Sequence, residues 1–426
     1  MEQDEMIKDL LEMVKQDTVP ALGCTEPVAV AYAGAVAKKY LTGTIDSIEI
    51  RVSKNIFKNG KSVIIPNTNE WGLDLAGALG VIGGNSDDGF MVLRNMDNNI
   101  IECAHEMLRG GKVKLEHVEN VPDIYVNMIV NSSMEKIEVE LRDSHTHIEW
   151  VKVDGKVVYE NRLNNKEKTS ADFLKNMTFK EIREVCETIP LDELMFIEEG
   201  IEMNKKAAER GINEGKGLKL GAGLKKLQQD GKLCNDASTQ ARILTAASAD
   251  IRMGGGDCPI MTSCGSGNQG LGVVLPITVV AEENNISREK LIRSVFFAHV
   301  INKYVKVYTG KLSSMCGCAI AAGIGASAGI SWILGGNDEQ IGGACQNMLS
   351  NLTGMICDGA KETCAFKLST SAGEAVLAAY LANEGIIVKP NVGIIGDSIE
   401  DTIKNVGILC KDGLTCADTV IVDIIE

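Results

Sequence analysis

The spacing of apolar residues changes once along the chain, and this change limits the folds that the chain can adopt. Between residues 45 and 159, apolar and polar residues alternate in the short segments Ile48–Ser53, Ile137–Leu141 and Ile148–Val153. A period of two is typical of half-buried strands. Later the period is helical almost throughout, in segments 178–209, 235–249, 287–306, 315–334, 338–353 and 369–384. We therefore predict an α+β fold, with an N-terminal mixed α/β unit followed by a mostly α-helical domain.

A charged segment with few apolar residues, Glu160–Thr169, separates the two patterns and is the predicted linker. We accordingly expect a mixed α+β domain at residues 1–165 and a mainly helical domain at residues 166–426. Residues 5–40 are predicted to form two helices, broken at a turn that carries Cys24, and these first helices could pack on the helical domain. The C-terminal tail, Ile394–Glu426, is predicted as short helix and strand.

Charge excludes one class of partner. The 426 residues include 43 Lys and Arg against 58 Asp and Glu, a formal charge of −15, which a nucleic-acid backbone repels. The acidic segment Met1–Glu5 lacks the features of a signal peptide, so we expect a cytoplasmic protein.

The uncharged segment Cys318–Gly336 is long enough to suggest a membrane span. Its Ala, Gly and Ser residues favour a buried helix instead, so we expect no membrane partner. Helices rich in small residues are also compatible with a homodimer.

Cysteine usage is the most informative feature for function. An odd count of thirteen in a chain expected to be cytoplasmic argues against a disulfide framework. Isolated cysteines are predicted to be small buried hydrophobic side chains; these are Cys103, Cys186, Cys234, Cys345, Cys410 and Cys416. The others include the pair Cys316 and Cys318 and, in a later segment, Cys357 and Cys364. Thiolates that converge select zinc or an iron–sulfur cluster, and the spacing alone does not decide between them. A three-thiolate site with one spare cysteine would leave a coordination position open for a substrate.

The densest glycine segment of the chain, residues 254–270, directly precedes the apolar run Leu271–Val280. A glycine-rich turn before a helix offers backbone N–H donors to a carboxylate or phosphate. The alternative is close helix packing around small residues. The spacing matches neither a P-loop nor a dinucleotide-binding motif.

A polar turn at Ile65–Gly72 presents amide and hydroxyl side chains, among them Asn67 and Thr68. These side chains could bind the ammonium and carboxylate groups of an amino acid, or they could cap the helix that follows. Three lysines, Lys303, Lys306 and Lys311, precede the first cysteine pair. Each is either a solvated surface residue or a group with a catalytic or anion-binding role.

Four segments together resemble the L-cysteine desulfidase family. They are residues 19–27 with the motif Gly-Cys-Thr-Glu-Pro, residues 263–270, residues 311–318, and residues 356–361 with the motif Cys-Asp-Gly-Ala-Lys, followed by Cys364. This family is related more distantly to the alpha region of bacterial iron–sulfur L-serine dehydratases. The resemblance implies an oxygen-sensitive [4Fe-4S] lyase that converts L-cysteine to pyruvate, ammonia and sulfide without pyridoxal phosphate.

The resemblance also implies roles for individual residues. It assigns Cys316, Cys357 and Cys364 as cluster ligands, with Cys318 as the alternative to Cys316. Cys24 falls where the dehydratases carry a histidine, so it is the predicted base, with cluster ligation as its alternative role. As a base it would need a thiol pKa lowered from about 8.5 toward neutrality. The amino-acid substrate is expected to contact Asn67, Thr68, Ser263, Gly265, Ser266, Gly267, Asn268 and Lys311. Alternative functions are an L-serine dehydratase or other amino-acid lyase, and a non-catalytic metal or redox-sensing protein.

Overall fold

The computed structural model describes residues 3–162 and 171–426. The strands of the N-terminal half are a short β1 (Pro20–Ala21), β2 (Ile45–Ser53), β3 (Val113–Val118), β4 (Tyr125–Ser132), β5 (Lys136–Arg142), β6 (Ile148–Val153) and β7 (Lys156–Glu160). The last six form one sheet with the order β3-β2-β4-β5-β6-β7, in which β2 and β3 are parallel and all other pairs are antiparallel.

One face of this sheet carries a row of buried side chains in register. Ile50 pairs with Met128, Met128 with Val139, and Val139 with Val151, and all four side chains are buried. Helices cover this face, as the alternating pattern predicts. They are Thr25–Lys38 and Leu73–Gly83, with Lys54–Gly60 and Asn98–Arg109 nearby.

Helices make up most of the described residues from 171 onward. The helices are Phe179–Thr188, Met195–Glu214, Leu220–Gln229, Ala237–Met253, Gly267–Glu283, Arg288–Thr309, Ala321–Ile333, Asp338–Leu352, Cys364–Asn383, Ile399–Ile408 and Thr415–Ile425. All thirteen residues of Ala321–Ile333 are buried, which confirms the prediction of a buried helix rich in small residues. No helix among the described residues has both the length and the apolar character needed to cross a membrane.

The predicted α+β class is confirmed, and two details differ. The tail after Ile394 contains the helices Ile399–Ile408 and Thr415–Ile425 joined by a wide helical turn at Leu409–Gly413, and no strand among its residues, all of which are described. The predicted linker begins at Glu160, which is the last residue of β7. Residues 163–169 of this linker lie outside the described residues.

Each end of the chain packs into the hydrophobic core of the opposite half. The first helix, Gln3–Asp17, buries Leu10 and Val14 in the core of the helical half, whereas the last helix buries Val422 in the core under the sheet. A third, smaller core includes Cys24, Cys258 and Cys364. This arrangement brings the N-terminal turn and the late cysteine segments to one region of the molecule.

Candidate functional site

A two-stranded pairing fixes the turn that carries Cys24. The short strand Pro20–Ala21 pairs antiparallel with Ile260–Met261, and the N–H of Thr262 donates to the carbonyl oxygen of Val19 at 3.0 Å. The N-terminal turn is thereby held against the glycine-rich segment. Cys24 is the residue before the helix Thr25–Lys38, and its side chain is 4% exposed.

A second backbone pairing brings two cysteine segments together. Met315 and Ile356 form an antiparallel bridge, the N–H of Cys316 donates to Met355 O at 2.9 Å, and the N–H of Cys357 donates to Ser314 O at 2.6 Å. Cys316 and Cys357 therefore lie on adjacent extended segments, although 40 residues separate them in the sequence.

The turn between Cys357 and Cys364 depends on a glycine. Gly359 has a φ of +95°, which L side chains rarely adopt, and a Cβ placed there would lie 2.3 Å from Lys58 O. Close approach to the backbone of Lys58 therefore requires glycine at this position. Cys364 then begins the helix Cys364–Asn383.

These segments enclose a cavity of about 140 Å³ between the sheet unit and the helices. Six cysteines line it: Cys24, Cys264, Cys316, Cys318, Cys357 and Cys364. The structure thus brings Cys24 and all four predicted or alternative late ligands to one site. The wall also contains Gly265, Ser266, Asn268 and Lys311 from the predicted substrate-binding set.

Four other predicted substrate-binding residues do not contribute to this wall. Asn67 donates through Nδ2 to Arg94 O at 3.2 Å, and Thr68 donates through Oγ1 to Ile65 O at 2.9 Å, so both side chains bond loop carbonyls. Neither caps the following helix, whose N-cap is Gly72. Ser263 lies outside the cavity wall, where its Oγ is 2.8 Å from Nδ1 of His299. Gly267 packs against Arg252 instead.

The Cys24 thiol has an acidic neighbour. Its Sγ donates to Oε2 of Glu26 at 2.8 Å, and burial, followed by the charge of Glu26, raises the pKa of Cys24 well above its usual value. This direction is opposite to the lowering that the sequence led us to expect. The contact with Glu26 therefore favours the protonated form of the Cys24 thiol.

The pair Cys316 and Cys318 interacts directly. A hydrogen bond from the Cys318 thiol lowers the pKa of Cys316, while the same contact and burial raise the pKa of Cys318. Burial raises the pKa of Cys357 and raises that of Cys364 to about 11. Of these four thiols, Cys316 alone has a lowered pKa.

The donor set is of the soft type that the sequence predicts. Four thiols, those of Cys316, Cys318, Cys357 and Cys364, line one cavity, and thiolates that converge bind zinc or an iron–sulfur cluster. Within residues 3–162 and 171–426, no three His, Cys, Asp or Glu side chains are grouped closely enough to hold one metal ion.

Several wall residues were missed by sequence reasoning. Glu26 and Asn59 contact each other through Asn59 Nδ2 and Glu26 Oε1 at 3.2 Å, and Arg252 and Gln269 are buried in the wall. Two of these residues had a sequence signal: Arg252 is a cation two residues before three consecutive glycines, and Glu26 lies in the Gly-Cys-Thr-Glu-Pro motif. The wall also contains Lys306, which is 6% exposed.

Comparison with known protein families gives a consistent result. Residues 99–423 match the family model for the serine dehydratase alpha chain. The chain is 55% identical over 425 residues to a UPF0597 protein of Clostridium botulinum (strain Loch Maree), covering 100% of this chain and 98% of the relative. It is 40% identical over 424 residues to a UPF0597 protein of Caldanaerobacter subterraneus, covering 98% and 99%. The chain therefore belongs to the serine dehydratase alpha-chain family.

Proposed function

We propose that this protein is an iron–sulfur-dependent L-cysteine desulfidase that works without pyridoxal phosphate and releases pyruvate, ammonia and sulfide. Family membership supports a lyase of the serine dehydratase type. The observation that carries the finer proposal is that Cys24 lines the same cavity as Cys316, Cys357 and Cys364. The proposed setting is the cytoplasm, where thiols stay reduced.

Cys316, Cys357 and Cys364 are the proposed ligands of a [4Fe-4S] cluster, with Cys318 as the alternative to Cys316 and Cys24 as the alternative fourth ligand. When bound by three thiolates, such a cluster supplies a Lewis acid for the leaving group. Lys306 lies beside this set, because a Cβ on Gly317 would be 3.2 Å from its Nζ. Burial lowers the pKa of Lys306, and thiolates in the wall would favour its protonated form, whose positive charge offsets theirs.

Cys24 and Glu26 are the proposed proton-transfer pair. Glu26 already accepts the thiol hydrogen bond, so it can take the Cys24 proton while the thiolate accepts the proton from Cα of the substrate. Asn59 fixes the other carboxylate oxygen. Loss of the Cα proton and of the β-substituent gives aminoacrylate, which water converts to pyruvate and ammonia.

The start of the helix Gly267–Glu283 helps to orient the substrate. Gly265, Ser266 and Asn268 line the cavity at this end of the helix, where free N–H groups and the helix dipole favour a negative charge. Holding the substrate carboxylate here places Cα at a fixed distance from the base.

The second candidate is an L-serine dehydratase, which the matched family model favours. The two substrates differ only in the leaving group at Cβ. Steady-state pyruvate formation from L-cysteine and from L-serine, with one anaerobic reconstituted preparation, separates them. We expect a higher kcat/KM for L-cysteine. A higher value for L-serine would assign the dehydratase, and iron-loaded protein inactive on both would favour a non-catalytic metal or redox-sensing protein.

A further inference from the structure

Resting on the proposed function, we infer that Arg252 binds the α-carboxylate of the substrate and thereby restricts the site to ligands with a free carboxylate. Arg252 belongs to the last turn of the helix Ala237–Met253 and lines the cysteine cavity. Neither the sequence pattern nor the family match assigns it a role.

Arg252 is a buried cation whose hydrogen bonding is incomplete. Its side chain is 2% exposed, and Nη1 donates to Oδ1 of Asn268 at 2.8 Å. Its Nε has no hydrogen-bond partner among the described residues, and no described carboxylate forms an ion pair with it. A buried guanidinium without an anionic partner is unfavourable, and a carboxylate ligand would remove this cost.

Gly267 leaves space for the guanidinium of Arg252 beside the start of a helix. A Cβ on Gly267 would lie 2.3 Å from Nε of Arg252, so the absence of a side chain lets the guanidinium lie against the first residue of the helix Gly267–Glu283. The guanidinium and the helix dipole therefore act on the same end of the cavity. Both favour an anion there.

A second buried polar atom belongs to the same wall. Oε1 of Gln269 has no hydrogen-bond partner among the described residues, and the amide lies near Gly317, between the cysteines of the first pair. An amide oxygen accepts from an ammonium group. Arg252 and Gln269 together match the two charged groups of an α-amino acid.

Lys306 is the competing cation, and its surroundings differ. Its Nζ is next to Gly317. Burial lowers the pKa of Lys306, and only ionised thiols, those of Cys264, Cys318, Cys410 and Cys357, would raise it. Arg252 lines the same cavity as Cys24, and its positive charge opposes the rise in the pKa of the Cys24 thiol that burial and Glu26 cause. A carboxylate on Arg252 therefore sets Cα near the proposed base, and the planar guanidinium matches a carboxylate in bidentate fashion.

The test uses anaerobically reconstituted holoprotein and two ligands that differ in one group. Equilibrium binding is measured for 3-mercaptopropionate, which keeps the thiol and the carboxylate, and for cysteamine, which keeps the thiol and the ammonium. We expect Arg252→Gln to weaken 3-mercaptopropionate binding on the order of 10- to 100-fold and to leave cysteamine binding unchanged. Arg252→Lys should recover part of the loss. The control is Arg109→Gln, an exposed arginine paired with Glu102.

The wild-type protein gives an independent reading if Arg252→Gln does not fold. Cysteamine binding as tightly as 3-mercaptopropionate would overturn the inference. Ligand binding does not require turnover, so a failure of this inference can be distinguished from a failure of the proposed function. Arginine-dependent carboxylate binding in a protein that consumes neither amino acid would retain the inference and reject the desulfidase. Normal turnover of L-cysteine with an unchanged KM in Arg252→Gln would retain the desulfidase and overturn the inference.

Discussion

The thiol of Cys24 donates a hydrogen bond of 2.8 Å to the carboxylate of Glu26. Asn59 donates to the second oxygen of this carboxylate at 3.2 Å, and its own Oδ1 is 3.9 Å from Sγ of Cys357. Side chains alone thus connect the N-terminal turn to a proposed cluster ligand. With Cys357 as a thiol, the proposed base and a proposed cluster ligand belong to one chain of hydrogen bonds.

Asn59→Ala should lower the free energy of unfolding by about 1–3 kcal/mol, because it removes a donor from the buried Glu26 carboxylate. Urea unfolding measures this change. Asn405→Ala, which removes an exposed side chain bonded to Ile394 O, is the control and should change the value by less than about 0.5 kcal/mol. Equal stability of Asn59→Ala and wild type would show that the Glu26 contact is not structurally important.

Cys24→Ala should reduce product formation on the order of 10²- to 10⁴-fold while iron content stays at the wild-type level, since it removes a proton acceptor but no ligand. Iron analysis and pyruvate assays on the same anaerobic sample measure both effects. Cys103→Ala, at an exposed cysteine, should match wild type in both. Loss of iron from Cys24→Ala would make Cys24 a ligand instead of a base.

Gly359→Ala should reduce iron content, because its Cβ would meet Lys58 O at 2.3 Å and displace the turn between Cys357 and Cys364. Gly354→Ala is a matched control in the same region, since a Cβ there meets no atom within 4 Å. Full iron occupancy in Gly359→Ala, with a melting temperature equal to that of the control, would contradict the required turn geometry.

Acid should destabilise the protein through His299. Burial lowers the pKa of His299 to about 4, from a usual value of 6.5. Between these values the unfolded chain binds a proton that the folded protein does not, so this contribution is complete above pH 6.5 and is lost as pH falls toward 4. We expect a loss of about 3 kcal/mol, measured by urea unfolding across this range.

His299→Gln should show a flatter pH profile than wild type, because glutamine does not titrate. His117→Gln is the control, a variant at a histidine that contacts Glu426 at the chain end. Parallel profiles for His299→Gln and wild type would show that His299 is not the group responsible.

Local pattern predicted much of the fold. The strands at Ile48–Ser53, Ile137–Leu141 and Ile148–Val153 alternate and were predicted, as were most long helices. Strand β4 was missed because residues 126–130 are buried on both faces and do not alternate, and β7 because all its residues are exposed.

The site was only partly predictable because long-range contacts assemble it. The Cys motifs identified Cys24 and the late cysteines, and all of them line the cavity. The pairing of Met315 with Ile356 involves one backbone bridge and leaves no periodic signal. The sequence does not report burial or the hydrogen-bond partners of a side chain. The proposed roles of Arg252, Gln269 and Asn59 depend on both.

Cysteines far apart in the sequence are proposed to hold one iron–sulfur cluster. Iron and acid-labile sulfide are measured in anaerobically reconstituted wild type, Cys357→Ser, Cys364→Ser and the control Cys186→Ser, a buried cysteine in the helical core. We expect about four iron atoms per chain in wild type and control, and little in the two ligand variants. Equal iron content in all four proteins, or none in wild type, would contradict it.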